Sequence, residues 1–201
     1  MQSHNRNLVL VHGLWDDPVV FNPLIDYLEA INDLYVFVPH LPHDGGRIPL
    51  KTLASDLDHL ITDRFGFDTP IDLLGFSMGG VVSRVWLQQM GGASRTNGFI
   101  SVGSPHLGTY TAQLVPPQLL SGIADMKRGS HLLKELNRDL HLLQHVKCRS
   151  FFSKSDLIAF PGWDAALPIG SRYSVPVLTH KELISHPKAL NLLFNAIGSL
   201  D

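Results

Sequence analysis

The chain has 201 residues, a formal net charge of -2, 44% apolar residues and 17% charged residues, a balance typical of globular proteins. No run of Lys and Arg is longer than the pair Lys127-Arg128, so the charge pattern argues against a nucleic-acid partner. The single cysteine, Cys148, excludes an intrachain disulfide framework and a multi-cysteine metal site.

The N-terminal segment carries no evident targeting signal. Residues 1–7 are polar, and the apolar run at residues 8–11 is too short for a signal-peptide core or a membrane span. We therefore expect no transmembrane segment and a cytoplasmic location, with secretion as the open alternative.

Short apolar runs alternate with helical patterns along the whole chain. The predicted strands are residues 8–11, 35–38, 71–74, 99–102, 146–152 and 173–178. The predicted helices are residues 18–31, 50–65, 78–90, 130–144 and 187–197. The strands are mostly apolar without alternation, which is typical of strands covered on both faces. This order predicts one α/β domain over residues 1–201, with a mainly parallel sheet of about six strands flanked by helices.

The first predicted strand ends in His12-Gly13-Leu14. Functional groups in such sheets collect at the carboxyl ends of the strands, and a turn there can point backbone N–H groups into the crevice. The N–H groups of Leu14 and Met78 are therefore candidates for an oxyanion hole. The alternative for this His-Gly pair is an ordinary turn.

The third predicted strand leads into Gly75-Phe76-Ser77-Met78-Gly79, a serine with glycines two positions away on either side. A nucleophile elbow has this layout, because a sharp turn between strand and helix lifts the serine toward a base. Chance also produces such pentapeptides in glycine-rich chains, so a plain turn is the alternative. The apolar strand before the serine and the helical spacing of Val81, Val82 and Val85 after it favour the elbow.

Residues 109–144 form a longer connection than one crossover helix requires. Residues 114–120, in its first part, are apolar and broken by proline. The segment is expected to be either a lid or interfacial surface near the crevice, or a packed irregular excursion.

The base and its orienting acid are expected downstream of Ser77, since elbow enzymes follow the order serine, acid, histidine. Asp156 follows the fifth predicted strand in a short polar turn, and Asp164 is the fallback. His180 comes two residues after the sixth predicted strand. His186 is the alternative base, but it precedes a proline at the apparent start of a helix.

Other titratable residues give no pattern of their own. His40, His43 and His106 lie near predicted strand ends, but no HExxH spacing or His/Cys cluster points to a metal, so no metal is expected. Cys148 lies in the apolar-flanked run of residues 146–152 and is expected to be a buried structural thiol rather than a reactive one.

Five blocks in order resemble the small bacterial α/β-hydrolase lipases and esterases typified by the Bacillus lipase A group. They begin at Leu10-Val11-His12-Gly13, Gly75-Phe76-Ser77-Met78-Gly79, Ser104-Pro105-His106-Leu107, Ser155-Asp156-Leu157 and His180-Lys181-Glu182, and they span nearly the whole chain. The chain departs from the family pattern in the bulky Leu14-Trp15-Asp16 after the His-Gly pair, which affects the expected shape of the acyl pocket.

The resemblance implies a nucleophile, Ser77, an acid, Asp156, and a base, His180, with Leu14 and Met78 as oxyanion donors. It implies an enzyme without a cofactor that hydrolyses lipid or other acyl esters, with transient contact to a lipid interface. A thioesterase, amidase or acyltransferase of the same fold is the enzymatic alternative, because the triad does not identify the leaving group. The alternative from another class is a catalytically silent binding protein.

Overall fold

A six-stranded parallel sheet forms the centre of the computed structural model, which describes residues 6–116 and 120–200. Its strands are β1 (Arg6–Val11), β2 (Leu34–Phe37), β3 (Ile71–Phe76), β4 (Thr96–Val102), β5 (Lys147–Phe152) and β6 (Ser171–Ser174). They lie in the order β2-β1-β3-β4-β5-β6, and every neighbouring pair is parallel. The predicted fold class is confirmed.

Seven helices accompany the described strands: α1 (Asn22–Leu28), α2 (Leu50–Phe65), α3 (Met78–Gln89), α4 (Tyr110–Gln113), α5 (Ser121–Asp125), α6 (His131–Arg138) and α7 (Pro187–Gly198). Short 3-10 turns lie at Pro18–Phe21, Asp44–Gly46, Gly92–Arg95, Leu140–Leu143, Gly162–Ala165 and Lys181–Ile184. None of the helices in the described part of the chain has the length and apolar character that a membrane crossing needs.

The sheet buries apolar side chains on both of its faces. In β1, Val9 and Val11 pack with α2, α3 and α6, whereas Leu8 and Leu10 pack with α1 and α7. Alternate residues of a strand point to opposite faces, so a strand with helices on both sides must be apolar throughout. This explains why the strand patterns in the sequence lack alternation.

The last strand and the fourth predicted helix differ from the sequence prediction. The sixth strand was predicted at residues 173–178, but β6 ends at Ser174 and its four residues are exposed at the sheet edge. Val175 and Val177, two apolar residues within the predicted strand, are buried but follow β6. The helix predicted at residues 130–144 ends at Arg138 and continues as the turn Leu140–Leu143.

The long connection at residues 109–144 contains the short helices α4 and α5 and then α6. Three residues of its predicted lid segment, Pro117, Gln118 and Leu119, lie outside the described residues, as do residues 1–5 of the polar N-terminus. The prediction that residues 1–201 form one domain stays a prediction.

Candidate active site

Ser77 occupies the sharp turn between the end of β3 and the start of α3. Its backbone has φ 55° and ψ -126°, a conformation that costs a non-glycine residue free energy unless its surroundings hold it. Its N–H donates to the carbonyl of Val102 on the neighbouring strand β4, with 2.8 Å between nitrogen and oxygen. The sheet therefore fixes the serine in this strained turn.

The glycines on either side of Ser77 are required by close backbone contact. A Cβ atom on Gly79 would lie 2.1 Å from the carbonyl oxygen of Val11, and one on Gly75 would lie 2.4 Å from Cα of Gly80. No side chain fits at either place. The pattern that chance could supply in the sequence thus has a steric reason in the fold.

Asp156 and His180, which are far apart in the sequence, meet in a short hydrogen bond. Oδ2 of Asp156 lies 2.6 Å from Nδ1 of His180. Oδ1 of the same carboxylate accepts the N–H groups of Ile158 at 2.8 Å and Ala159 at 3.1 Å. Because Asp156 is buried, these bonds both orient the carboxylate and offset its loss of water.

The His180 ring is held against the elbow. Its centroid lies 4.9 Å from that of Phe76, the residue before Ser77. Its other nitrogen, Nε2, is buried and has no hydrogen-bond partner among the described residues. A neutral imidazole whose Nδ1–H is bonded to a carboxylate keeps a lone pair on Nε2. The histidine is therefore arranged to accept a proton through Nε2.

Ser77 and His180 line the same cavity, which has a volume of about 590 Å³. Most of its other walls are apolar side chains, contributed by Leu14, Phe76, Ala112, Val115, Ile123, Met126, Ile158 and Ala159. A cavity of this size and character suits a small molecule with an apolar part.

The turn after β1 closes one side of this cavity. A Cβ atom on Gly13 would lie 2.9 Å from Cβ of Ser77, so the turn and the elbow are in close contact. Met78 is the first residue of α3, where a backbone N–H has no acceptor within the helix. Within the described residues, no turn or loop hydrogen bond uses the N–H of Leu14 or Met78. These two donors remain the predicted oxyanion hole.

Two charged residues, Asp16 and Lys181, also line the cavity, and neither is among the site residues predicted from the sequence. Asp16 is half-buried, and burial raises the pKa of its carboxyl, while the charge of Lys181 opposes this rise. The available signal for Asp16 is its position three residues after the His-Gly pair, in the bulky Leu14-Trp15-Asp16 run.

Asp164 and His186, the alternative acid and base, make contacts that stabilise the structure. Asp164 forms an ion pair with Arg128. The His186 side chain caps α7, with its Nδ1 accepting the N–H of Lys188 at 3.1 Å. Neither Asp164 nor His186 lines the cavity that contains Ser77.

Cys148 and His106, two other residues considered from the sequence, do not line the Ser77 cavity. Cys148 is buried at a groove of about 610 Å³ beside the starts of β5 and β6, and burial raises the pKa of its thiol to about 11. His106 is fully buried and shares a hydrogen bond of 2.6 Å with Ser101. No group of three or more His, Cys, Asp or Glu side chains within residues 6–116 and 120–200 is arranged to hold a metal ion.

The described parts of the long connection are bonded to their surroundings. Thr109 donates its N–H to Met126 at 3.1 Å, and its Oγ1 accepts the N–H of Phe160 at 3.0 Å. Asp125 in α5 accepts the N–H of Leu50, the first residue of α2, at 2.9 Å. These bonds anchor both sides of the segment that borders the cavity.

Comparison with known proteins gives a sequence match and several structural matches. The sequence profile described as the Alpha/beta hydrolase family matches residues 8–189. The mature lipase of Bacillus licheniformis has a TM-score of 0.74 at 18% identity, with 98% of this chain and 92% of that chain covered. Lipase B of Aspergillus fumigatus has a TM-score of 0.80 at 16% identity, with 98% of this chain but only 53% of that chain covered.

A third solved structure, the monoacylglycerol lipase of Paleococcus ferrophilus, has a TM-score of 0.72 at 12% identity. The match covers 98% of this chain and 96% of that chain. At these identities the three structures share the fold with this chain, and the likeness extends no further than the fold.

Proposed function

The chain belongs to the α/β-hydrolase family, and we propose that it is a serine hydrolase that cleaves carboxylic esters through an acyl-enzyme. One observation carries the proposal. His180 bonds Asp156 through Nδ1 and keeps a buried, unpartnered Nε2 in the cavity that Ser77 also lines. A serine, a base and an orienting acid in this relation form a catalytic triad.

In the first half of the reaction, Ser77 Oγ attacks the ester carbonyl while Nε2 of His180 takes its proton. Asp156 stabilises the imidazolium and keeps the proton of Nδ1 in place. The negative oxygen of the tetrahedral intermediate accepts hydrogen bonds from the N–H groups of Leu14 and Met78. The intermediate then collapses, and the alcohol leaves with the proton that His180 returns to it.

In the second half, water replaces the alcohol. His180 takes a proton from the water as it attacks the acyl carbon, and a second tetrahedral intermediate uses the same two oxyanion donors. Its collapse releases the carboxylic acid and returns the proton to Ser77 Oγ. This sequence of steps uses only side chains and backbone groups of the chain, together with water.

The proposed substrates are acylglycerols or similar lipid esters. The cavity is mainly apolar, and its lining residue Trp15 is 72% accessible. Leu157, beside the lining residue Ile158, is 71% accessible. Leu114, beside the lining residue Val115, is 88% accessible. Exposed apolar groups that cluster around one opening are typical of a surface that contacts lipid. Leu178, beside the lining residue Thr179, is 73% accessible. We call Trp15, Leu114, Leu157 and Leu178 the apolar rim.

The described parts of the connection, residues 109–116 and 120–144, serve in this proposal as a packed wall of the cavity rather than as a lid. The hydrogen bonds of Thr109 and Asp125 support this choice, because opening the segment would break them. A Cβ atom on Gly122 of α5 would lie 2.3 Å from the carbonyl oxygen of Ile48, so this helix is also in close contact with the chain before α2.

The direct test is replacement of the nucleophile. Ser77→Ala is expected to lower kcat/KM on p-nitrophenyl esters by on the order of 10⁴-fold or more, since the triad acts as a unit. Its thermal midpoint should stay at or above that of the wild type. Ser94→Ala, at an exposed serine, is the control. Unchanged hydrolysis in Ser77→Ala would rule out the proposal.

A substrate panel distinguishes the alternatives. Ester, thioester and amide substrates with the same acyl group show which leaving group the enzyme prefers, and added alcohols reveal acyl transfer. Failure of a fluorophosphonate probe to label Ser77 would favour a catalytically silent binding protein.

A further inference from the structure

The turn that carries Leu14 holds a strained residue next to it. Trp15 has φ 62°, in the left-handed region that bulky side chains rarely adopt. Such a conformation persists only where neighbouring groups hold it, at a cost of order 1–3 kcal/mol. The groups that hold Trp15 therefore also determine where the preceding N–H, that of Leu14, points.

His43 supplies one of these holding contacts. The N–H of Trp15 donates to Nε2 of His43, with 3.1 Å between the nitrogens. The ring can accept there only with its proton on Nδ1. The same Nε2 lies 3.4 Å from the carbonyl oxygen of Asp16, a longer contact, so the tautomer is assigned from the shorter bond to Trp15. His43 follows β2, the strand beside β1, so the shared edge of the sheet brings it to the turn.

His12 holds the beginning of the same turn. Its Nδ1 lies 3.0 Å from the carbonyl oxygen of Gly13, and its Nε2 accepts the N–H of Leu41 at 3.0 Å. The rings of His12 and His43 meet edge to face, with centroids 6.1 Å apart. Two histidines thus fix the turn on either side of Leu14.

We propose that His43 is a positioning residue for the oxyanion hole: by binding the N–H of Trp15, it keeps the N–H of Leu14 directed at the oxygen that Ser77 attack makes negative. This inference rests on the proposed function, because it assigns the Leu14 donor a role in catalysis. A displacement of the turn by about an ångström would misplace the donor and slow the reaction.

A packing role for the ring is the competing explanation, and two variants separate it from the hydrogen bond. His43→Phe keeps an aromatic ring against His12 but has no acceptor. His43→Gln lacks the ring but offers a carbonyl oxygen to the N–H of Trp15. The matched control is His40→Phe: the exposed His40 stacks on His12 at 5.6 Å, but it has no hydrogen bond to the turn within the described residues.

The experiment measures kcat and KM on a dissolved short-chain p-nitrophenyl ester. We expect His43→Phe to lower kcat about 10- to 100-fold with KM changed less than about twofold, because the lost stabilisation belongs to the transition state. His43→Gln should recover most of the loss, and His40→Phe should match the wild type. A wild-type kcat in His43→Phe, or equal losses in the Phe and Gln variants, would overturn the inference.

Amide hydrogen exchange at Trp15, followed by NMR, gives a readout that does not depend on turnover. Exchange should accelerate in His43→Phe and stay slow in His43→Gln and His40→Phe. Unaltered exchange in His43→Phe would contradict the inference even if ester hydrolysis is confirmed. Equal turnover by wild type and Ser77→Ala would instead overturn the proposed function and the catalytic role of His43 with it.

Discussion

Nδ1 of His180, a residue that lines the Ser77 cavity, lies 2.6 Å from Oδ2 of the buried Asp156. The carboxylate is itself held by two backbone N–H groups through Oδ1. The imidazole is thus oriented from one side and open to a proton on the other.

We expect His180→Ala to affect kcat and His186→Ala to affect stability. His180→Ala removes the base and should lower kcat by on the order of 10⁴-fold or more. His186→Ala removes the cap of α7 and should cost about 1 kcal/mol of stability while leaving kcat near the wild-type value. Steady-state kinetics and urea unfolding of both variants check this. If only His186→Ala abolished turnover, the assignment of the base would be wrong.

For the acid, the paired variants are Asp156→Asn and Asp164→Asn. An amide at position 156 would favour the wrong tautomer of His180, so kcat should fall about 10⁴-fold while KM changes little. Asp164→Asn breaks the partly exposed ion pair with Arg128, and we expect less than about 1 kcal/mol of lost stability with kcat preserved. Equal kinetic losses in the two variants would refute the choice of Asp156.

Much of this arrangement follows from sequence patterns. The apolar run before Ser77 predicts a strand covered on both faces, and the β-rich run before Asp156 predicts another strand. The residues that follow these two strands lie at the carboxyl edge of the sheet. The predicted position of His180, in the connection after the sixth strand, holds although β6 ends at Ser174, earlier than predicted. Asp16 and His43 were not recognised as neighbours of the site. Their proximity depends on the strand order β2-β1-β3, which periodicity does not reveal.

Protein stability should fall in mild acid because of buried histidines. Burial lowers the pKa of His106 well below its ordinary value, and burial also lowers the pKa of His12. Below about pH 6.5 the unfolded chain binds protons at these rings that the folded chain resists, so the unfolding free energy decreases as pH falls. Each residue contributes up to about 1.4 kcal/mol per pH unit until its folded pKa is reached.

Urea unfolding between pH 7.5 and 5 measures this slope. His106→Asn should be less stable at neutral pH, because it loses the hydrogen bond to Ser101, but its stability should fall less steeply below pH 6.5. His141→Asn, at an exposed histidine, is the control. Identical slopes in the wild type and His106→Asn would contradict the argument.

The apolar rim should matter for aggregated substrates and not for dissolved ones. Leu114→Asp should weaken binding to an emulsified triacylglycerol about tenfold, since burying a leucine side chain contributes about 1.5–3 kcal/mol. Phe67→Asp changes a residue that is 80% exposed before β3 begins, at the opposite edge of the sheet, and should have no such effect. Both variants should hydrolyse a dissolved short-chain ester at the wild-type rate. A loss on the dissolved ester in Leu114→Asp would point to a damaged cavity instead.

The parallel sheet also has a consequence for how the protein is made. Parallel neighbours cannot be joined by a tight hairpin, so each pair forms only after a long crossover has closed. Ser77 follows β3, while Asp156 and His180 follow β5 and β6 at the far side of the sheet. Such non-local pairing slows folding. During synthesis the elbow would leave the ribosome well before its base, so in the proposed mechanism a nascent chain has no activated serine, and hydrolysis begins only when the C-terminal part has folded onto the rest.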